Sequence, residues 1–138
     1  MLVEVTEKPV LPEDAIAGLD RKIHGAVVTF LGTVRRFTED REVEYLDYEA
    51  YPEMAGAKLQ LIAHEVVGRD KIEDVSILHR IGRLYIGETS LVVAVASLHR
   101  REGFDACLYI VERIKEIVPI WKKEVWAEGE LWVRGEGA

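Results

Sequence analysis

The 138-residue sequence contains no asparagine, one glutamine (Gln60) and one cysteine (Cys107). A single cysteine excludes an internal disulfide and a metal site built from several thiolates, and it fits a reducing compartment. The scarcity of amide side chains, together with 31% charged residues, is a bias associated with heat-adapted proteins. Composition therefore indicates the environment in which the protein works, but it does not indicate an activity.

Long apolar runs are also missing. The run from Leu91 to Ala96 is far shorter than the roughly 20 residues that a membrane-spanning helix needs. The N-terminal segment has neither a basic start nor a long apolar stretch, so we expect no export signal. These features predict a cytoplasmic protein without a membrane segment.

Acidic side chains outnumber basic side chains, which gives a formal net charge of −7. Sequence-independent nucleic-acid binding needs the opposite balance, so we expect no nucleic-acid partner. The sequence has no phosphate-binding loop and no dinucleotide fingerprint, and its histidines lack ligand spacing, so we expect neither a cofactor nor a metal. An anionic ligand would need a local basic cluster.

Hydrophobic patterning predicts an α+β fold, and the chain length and apolar content predict one domain over residues 1–138. Proline starts and apolar spacing predict helices over 12–20, 52–68 and 102–118. Strands are predicted over 25–34, 43–50, 75–79 and 90–98, with a terminal hairpin formed by 125–127 and 131–133. Residues 35–42 are predicted to form a loop. This order is typical of a mostly antiparallel or mixed sheet.

Lys115 is an unusual residue of the third predicted helix. At 100° per residue it falls in the same stripe as Phe104, Leu108 and Val111. A lysine on an apolar face loses hydration, which favours the neutral amine and can leave a usable base. Alternatively, its aliphatic stem packs while the amine reaches water. The helical pattern leaves both interpretations open.

Lys122 and Lys123 follow directly after Trp121. In an extended chain their amines point to opposite sides, so only one of them could join Lys115. A lysine pair near a strand start is also typical of a solvated surface. Spacing alone does not choose between a site and a surface.

A basic cluster, His99-Arg100-Arg101, stands where a strand passes into a helix. Cations at a helix N-terminus oppose its dipole, and an anion bound there would relieve the conflict through backbone N–H groups and guanidinium groups. Alternatively, Glu102 neutralises the cluster.

Arg35 and Arg36 end the strand that begins at Gly25, where they can meet a ligand or remain solvated. Cys107 is a conceivable persulfide carrier, but its position among apolar residues of the helix favours a small buried core residue.

Five segments carry a resemblance to a known family: GAVVTFLGTVR at 25–35, YPEM at 51–54, HRIG at 79–82, SLHR at 97–100 and PIWKKE at 119–124. Their order and spacing resemble those of the molybdopterin synthase large subunit, from about Gly25 to Val133. The resemblance implies an α/β-hammerhead fold with an added antiparallel sheet. It also implies a homodimer of large subunits within a heterotetramer, with a ubiquitin-like small subunit bound at each end.

The implied activity is that of a sulfurtransferase. The C-terminal thiocarboxylate of the small subunit would donate two sulfurs to cyclic pyranopterin monophosphate, giving the dithiolene of molybdopterin in molybdenum cofactor biosynthesis. Carried over by position, the family's pocket lysines correspond to Lys115 and Lys122, and its anion-binding residues to Arg35, His99 and Arg100.

The sequence departs from the family pattern in having Arg101-Glu102-Gly103 where small residues are expected after the His-Arg pair. Its C-terminal residues are not Gly-Gly, so we expect a separate small subunit to bring the sulfur. Two rival functions remain. A module that binds a phosphorylated small molecule would use the Arg-His cluster without needing Lys115, and a scaffold for a ubiquitin-like protein would need no pocket chemistry.

Overall fold

The computed structural model describes residues 1–20, 22–69 and 71–134, so the expectation about the C-terminal Gly-Gly concerns residues outside the described part. Its helices are α1 (Pro12–Ala17), α2 (Pro52–Val67) and α3 (Arg100–Ile117). Its strands are β1 (Leu2–Thr6), β2 (Ala26–Thr33), β3 (Phe37–Thr38), β4 (Arg41–Glu42), β5 (Tyr45–Ala50), β6 (Ile72–Arg80), β7 (Gly82–Tyr85), β8 (Thr89–Ser97), β9 (Ile120–Trp126) and β10 (Gly129–Arg134).

The longer strands form two sheets. The first has the order β1-β6-β8-β2, in which only the β1–β6 pair is parallel. The second has the order β10-β9-β5-β7 and is antiparallel throughout. The predicted α+β class with mostly antiparallel strands is confirmed. The α/β-hammerhead description and the single domain over residues 1–138 remain predictions.

Strand β8 is buried on both faces because helices lie on both sides of the first sheet. Val93 packs into a cluster with residues of α2 and α3, whereas its neighbour Val92 packs into a second cluster with Ala15 of α1. Successive side chains of a strand point to opposite faces, so a strand covered on both sides is a continuous apolar run. This arrangement explains the sequence of β8.

Helix α3 lies close to β8 at Gly103. A Cβ atom on this glycine would stand 2.6 Å from Ser97 Oγ, so the missing side chain permits the close approach. The buried face of α3 is formed by small and aliphatic residues: Gly103, Ala106, Cys107, Ile110, Val111 and Ile114.

The apolar stripe predicted for α3 is therefore buried at Val111 but exposed at its other members. Phe104 and Leu108 are 62% and 59% exposed, and Lys115 is exposed with them. These apolar side chains lie beside the core-facing stripe of the helix, and a helical wheel cannot distinguish an outer apolar strip from a core-facing one when the two adjoin.

Other predictions were incomplete. Strands β1 and β7 were not predicted, and α1 ends at Ala17 instead of extending to residue 20. Residues 35–42, predicted as a loop, contain the β3–β4 hairpin, which turns at Glu39 and Asp40. Gly82 begins β7 and Gly87 lies in the turn between β7 and β8, and both have the positive φ that glycine adopts without strain.

Candidate functional site

A cavity of about 370 Å³ lies between β2, the β3–β4 hairpin, β5, β9 and the end of α3. We call it the lysine pocket. Its lining combines two lysines, an arginine and a carboxylate with aromatic, aliphatic and small residues: Phe30, Leu31, Gly32, Thr33, Arg35, Thr38, Leu46, Tyr48, Lys115, Lys122 and Glu124. The pocket thus has cationic groups for an anion and an aromatic wall for a ring.

Strand β9 contributes Lys122 and Glu124, which are two residues apart and therefore project from the same face. Lys123 projects from the other face, where its Nζ lies 3.9 Å from Asp47 Oδ2 and 5.6 Å from the centre of the Trp132 ring. Of the two adjacent lysines, the structure places Lys122 in the pocket with Lys115.

Lys115 reaches the pocket from the last turn of α3. It is exposed, which fits the interpretation that its stem packs while its amine meets water, and not a fully desolvated amine. The negative end of the helix dipole favours a cation at this position. Lys115 is thus placed with its side chain at the rim of the pocket.

Arg35 enters the pocket from the end of β2. The preceding residue, Val34, is buried, and its N–H donates to the Glu88 carbonyl at 2.9 Å while its own carbonyl accepts from the Gly87 N–H at 2.9 Å. These bonds fix the backbone immediately before Arg35. The Arg35 side chain therefore extends into the pocket from a fixed backbone position.

Glu124 is a pocket residue that the sequence motifs did not indicate as part of the site. It is 3% exposed, and its Oε2 accepts a hydrogen bond of 3.1 Å from Thr38 Oγ1. Arg41 Nη2 lies 3.6 Å from Oε1. The available signal was the spacing of two from Lys122 on a predicted extended segment, which places both side chains on one face.

His99, Arg100 and Arg101 line a different cavity, of about 660 Å³, with Glu102, Phe104 and Asp105. We call it the α3 cleft. His99 precedes the helix in an extended conformation, and its carbonyl accepts a 2.7 Å hydrogen bond from Ser97 Oγ. The first turn of α3 therefore presents its cations outwards, at the positive end of the helix dipole.

The Glu102 carboxylate lies 3.5 Å from Lys71 Nζ. A hydrogen bond from its own backbone N–H holds the pKa of Glu102 below its ordinary value, and Lys71 and His99 lower it further. Glu102 thus pairs with Lys71 and also interacts with His99 of the basic cluster, so the interpretation in which it neutralises the cluster stays open.

The five predicted site residues thus fall into two groups in one chain. Arg35, Lys115 and Lys122 share the lysine pocket, whereas His99 and Arg100 line the α3 cleft. Between the two cavities lies an apolar groove of about 260 Å³ formed by Val28, Thr29, Phe30, Phe104, Cys107, Leu108 and Val111. Phe30 also lines the lysine pocket and Phe104 also lines the α3 cleft, so the apolar groove shares one aromatic residue with each of the two cavities.

Cys107 is a core residue, as predicted. It is 5% exposed, and burial raises the pKa of its thiol to about 11. A persulfide carrier needs an accessible thiolate, and this environment provides neither access nor ionisation.

Within residues 1–20, 22–69 and 71–134, no group of three or more His, Cys, Asp or Glu side chains is placed to hold a metal ion. None of the described helices combines the length and the apolarity that crossing a membrane requires.

The fold and the lysine pocket define an α+β protein with a polar, cationic cavity suited to an anionic ligand. The family model described as MoaE protein matches residues 5–117. The chain therefore belongs to the MoaE protein family, and its resemblance to the molybdopterin synthase large subunit is confirmed.

Relatives named molybdopterin synthase catalytic subunit support the assignment. One from Halalkalibacterium halodurans is 47% identical over 132 residues, which cover 94% of this chain and 83% of the relative. Another, from Pyrococcus abyssi, is 47% identical over 124 residues, covering 90% and 84% of the two chains.

Solved structures agree with the fold. The crystal structure of molybdopterin synthase from Staphylococcus aureus matches with a TM-score of 0.89 at 43% identity, covering 94% of this chain and 95% of the other. A complex of subunits 1 and 2 of molybdopterin-converting factor from Helicobacter pylori matches with a TM-score of 0.75, covering 98% and 92% of the chains. At 19% identity, that second match shows the fold alone.

Proposed function

We propose that this chain is the catalytic subunit of molybdopterin synthase, which transfers two sulfurs from the C-terminal thiocarboxylate of a ubiquitin-like small subunit to cyclic pyranopterin monophosphate. The observation that supports this most strongly is the convergence of Arg35, Lys115 and Lys122 on one cavity in a chain of the MoaE family. Neither rival function requires two lysines from different elements to share a pocket.

The proposed chemistry begins with orientation. The Arg35 guanidinium group binds the substrate phosphate, and Phe30 and Tyr48 line the pocket that receives the pterin. The thiocarboxylate sulfur adds to an electrophilic pterin carbon, which joins the two molecules through an acyl-sulfur linkage. The electron pair of a carbon–oxygen bond at that carbon passes to its oxygen, which takes a proton from one lysine ammonium group. Lys115 and Lys122 neutralise the anionic sulfur donor during this approach.

Water then attacks the acyl carbon, and the lysine that keeps its proton stabilises the oxyanion that forms. The acyl carbon–sulfur bond breaks, which leaves the sulfur on the pterin and a carboxylate on the small subunit. The lysine that gave its proton to the substrate oxygen accepts the proton of the attacking water, and a second thiocarboxylate repeats the sequence at the neighbouring carbon.

A homodimer would unite the two groups of site residues. Phe104 and Leu108 form an exposed apolar strip between the lysine pocket and the α3 cleft, and a twofold axis brings identical patches together. If groove packs against groove, the α3 cleft of one copy lies beside the lysine pocket of the other. His99 and Arg100 of the second copy then complete the anion site.

The small subunit belongs to the same proposal. The structural relative from Helicobacter pylori is a complex of two converting-factor subunits, and this chain needs such a partner as its source of sulfur. The α/β-hammerhead architecture, the heterotetramer and the cytoplasmic location expected from the sequence are parts of this proposal too.

The test is reconstitution. The purified chain, a thiocarboxylated small subunit and cyclic pyranopterin monophosphate are mixed, and the dithiolene-containing pterin is followed by mass spectrometry. We expect product only when both proteins are present and only with the thiocarboxylate form. Lys115→Ala should retain folding and complex formation while turnover is lost.

A small subunit ending in an ordinary carboxylate is the matched control for complex formation without sulfur. A stable complex that gives no product with a proven sulfur donor would favour the scaffold function. Phosphate-ligand binding without product under any condition would favour the binding module.

A further inference from the structure

The β3–β4 hairpin is a small element that cannot hold its own position. Each strand has two residues, paired Phe37 with Glu42 and Thr38 with Arg41. A two-stranded hairpin alone is marginally stable in water, so its tip needs contacts with the rest of the protein. Its base is fixed, because Val34 and Val43 on either side are buried in the core.

The tip is held by side chains of β9. Thr38 Oγ1 donates to Glu124 Oε2 at 3.1 Å, and Arg41 Nη2 lies 3.6 Å from Glu124 Oε1. The Arg41 guanidinium carbon also stands 4.4 Å from the centre of the Trp126 ring. Glu124 and Trp126 are two residues apart on β9 and therefore share a face, so one arginine contacts both.

The burial of these groups makes the contact more than a surface ion pair. The Glu124 side chain is 4% exposed and that of Arg41 is 33% exposed. A carboxylate removed from water is costly unless it is paired and hydrogen-bonded, and Arg41 and Thr38 supply these partners. The cation–π contact between the Arg41 guanidinium group and the Trp126 indole adds a second attraction.

The position of the hairpin matters because it forms a wall of the lysine pocket. Thr38 lines the pocket from the hairpin, and Arg35 lines it from the segment that leads into the hairpin. We propose that Arg41 is a positioning residue: its contacts with Glu124 and Trp126 hold the hairpin against β9 and thereby fix the pocket wall around Arg35. The relevance to turnover rests on the function proposed above.

The chain contains a matched control in Arg83. Its guanidinium group pairs with Asp47 at 2.9 Å and stacks on the Tyr45 ring at 4.0 Å, so it combines the same two interactions as Arg41. It lies on the face of the second sheet that carries Lys123, because Asp47 pairs in register with both Arg83 and Lys123. Arg83→Ala therefore removes equivalent chemistry away from the pocket.

The first measurement is hydrogen exchange of the peptide covering residues 35–43. We expect Arg41→Ala to speed exchange there by about tenfold, with other regions unchanged, since a local tether is lost. Arg83→Ala should leave this peptide unaffected. Arg41→Lys keeps the charge but loses planar stacking, so its exchange should be intermediate. Equal exchange of the peptide in the wild type, Arg41→Ala and Arg83→Ala would overturn the proposal.

The second measurement is steady-state kinetics of the reconstituted enzyme. Arg41→Ala should raise KM for the phosphorylated pterin by about tenfold with a smaller change in kcat, because it acts on binding through Arg35. In the Arg35→Ala background the same change should have little further effect. Full additivity of the two substitutions would overturn the positioning role. A wild-type enzyme without turnover would refute the proposed function, while the exchange experiment would still decide whether Arg41 holds the hairpin.

Discussion

Lys122 and Lys123 are adjacent in the chain and lie on opposite faces of β9. Lys122 lines the lysine pocket, whereas Lys123 is engaged on the other face, with Nζ 3.5 Å from Glu130 Oε2. Strand geometry alone separates two side chains of identical chemistry into different environments. The pair therefore provides an internal comparison for the proposed sulfur transfer.

We expect Lys122→Ala to lower turnover by about a hundredfold or more, because a preorganised cation that meets developing negative charge is lost. Lys123→Ala should lower it by less than about threefold, since a surface substitution away from the site mainly affects stability. Turnover is measured with saturating small subunit, and the complex is quantified separately by size-exclusion chromatography. Equal losses in the two variants would contradict the assignment of Lys122 to the pocket chemistry.

Local sequence patterns predicted much of the fold. The helix that begins at Pro52 and the apolar strand β8 were found because their periodicity and length are unambiguous. Strand β1 was missed because its pairing with β6 connects residues about 70 positions apart, and such a contact leaves little local signal. The β3–β4 hairpin was not predicted because most of its residues are polar and the side chains that hold it lie on β9.

The sequence motifs indicated the individual candidate site residues. They did not indicate that these residues are divided between two cavities. The motifs indicated Arg35, His99, Arg100, Lys115 and Lys122, and the structure places them in two cavities. Glu124 was passed over because a single acidic residue in a charged segment resembles a solvated one. Glu124 is buried because the β3–β4 hairpin packs against it. Such a contact between distant segments cannot be read from the local sequence. The catalytic and binding roles of the five residues remain predictions.

Tyr109 and Glu65 connect α3 to α2 through a hydrogen bond of 2.6 Å. This bond, helped by Arg113, holds the pKa of the Glu65 carboxyl below its ordinary value. A lowered carboxyl pKa stabilises the fold above the unfolded-state pKa of about 4.3, and the contribution is lost as the pH falls through the folded-state pKa. Tyr109→Phe should therefore lower Tm by about 2 °C at pH 7, with a smaller difference near pH 3.

Tyr51→Phe is the matched control for this substitution, because Tyr51 is 70% exposed. Thermal unfolding of both variants is followed by circular dichroism across the acid range. A loss of Tm in Tyr109→Phe that does not change with pH would mean that packing, not the hydrogen bond to an ionised carboxylate, explains the effect.

Cys107 should be inert in the native protein. With a thiol pKa of about 11, only about 0.1% would be thiolate at pH 8 even with free access. We expect no alkylation by iodoacetamide over an hour at pH 8, and complete alkylation in denaturant. Cys107→Ala should retain turnover, because in the proposed function the sulfur comes from the small subunit's thiocarboxylate. Loss of turnover in a folded Cys107→Ala variant would revive the persulfide interpretation.

A pocket shared between two copies can be tested by mixing inactive variants. Arg100→Ala damages the α3 cleft and Lys115→Ala damages the lysine pocket, so a mixed dimer retains one intact composite site. Random mixing of the two chains should restore roughly a quarter of wild-type turnover, given a twofold dimer. The control mixes Lys115→Ala with Lys122→Ala, which damage the same pocket and should restore nothing. Mixed dimers that are visible by native mass spectrometry but inactive in both mixtures would show that His99 and Arg100 do not complete the pocket of the other copy.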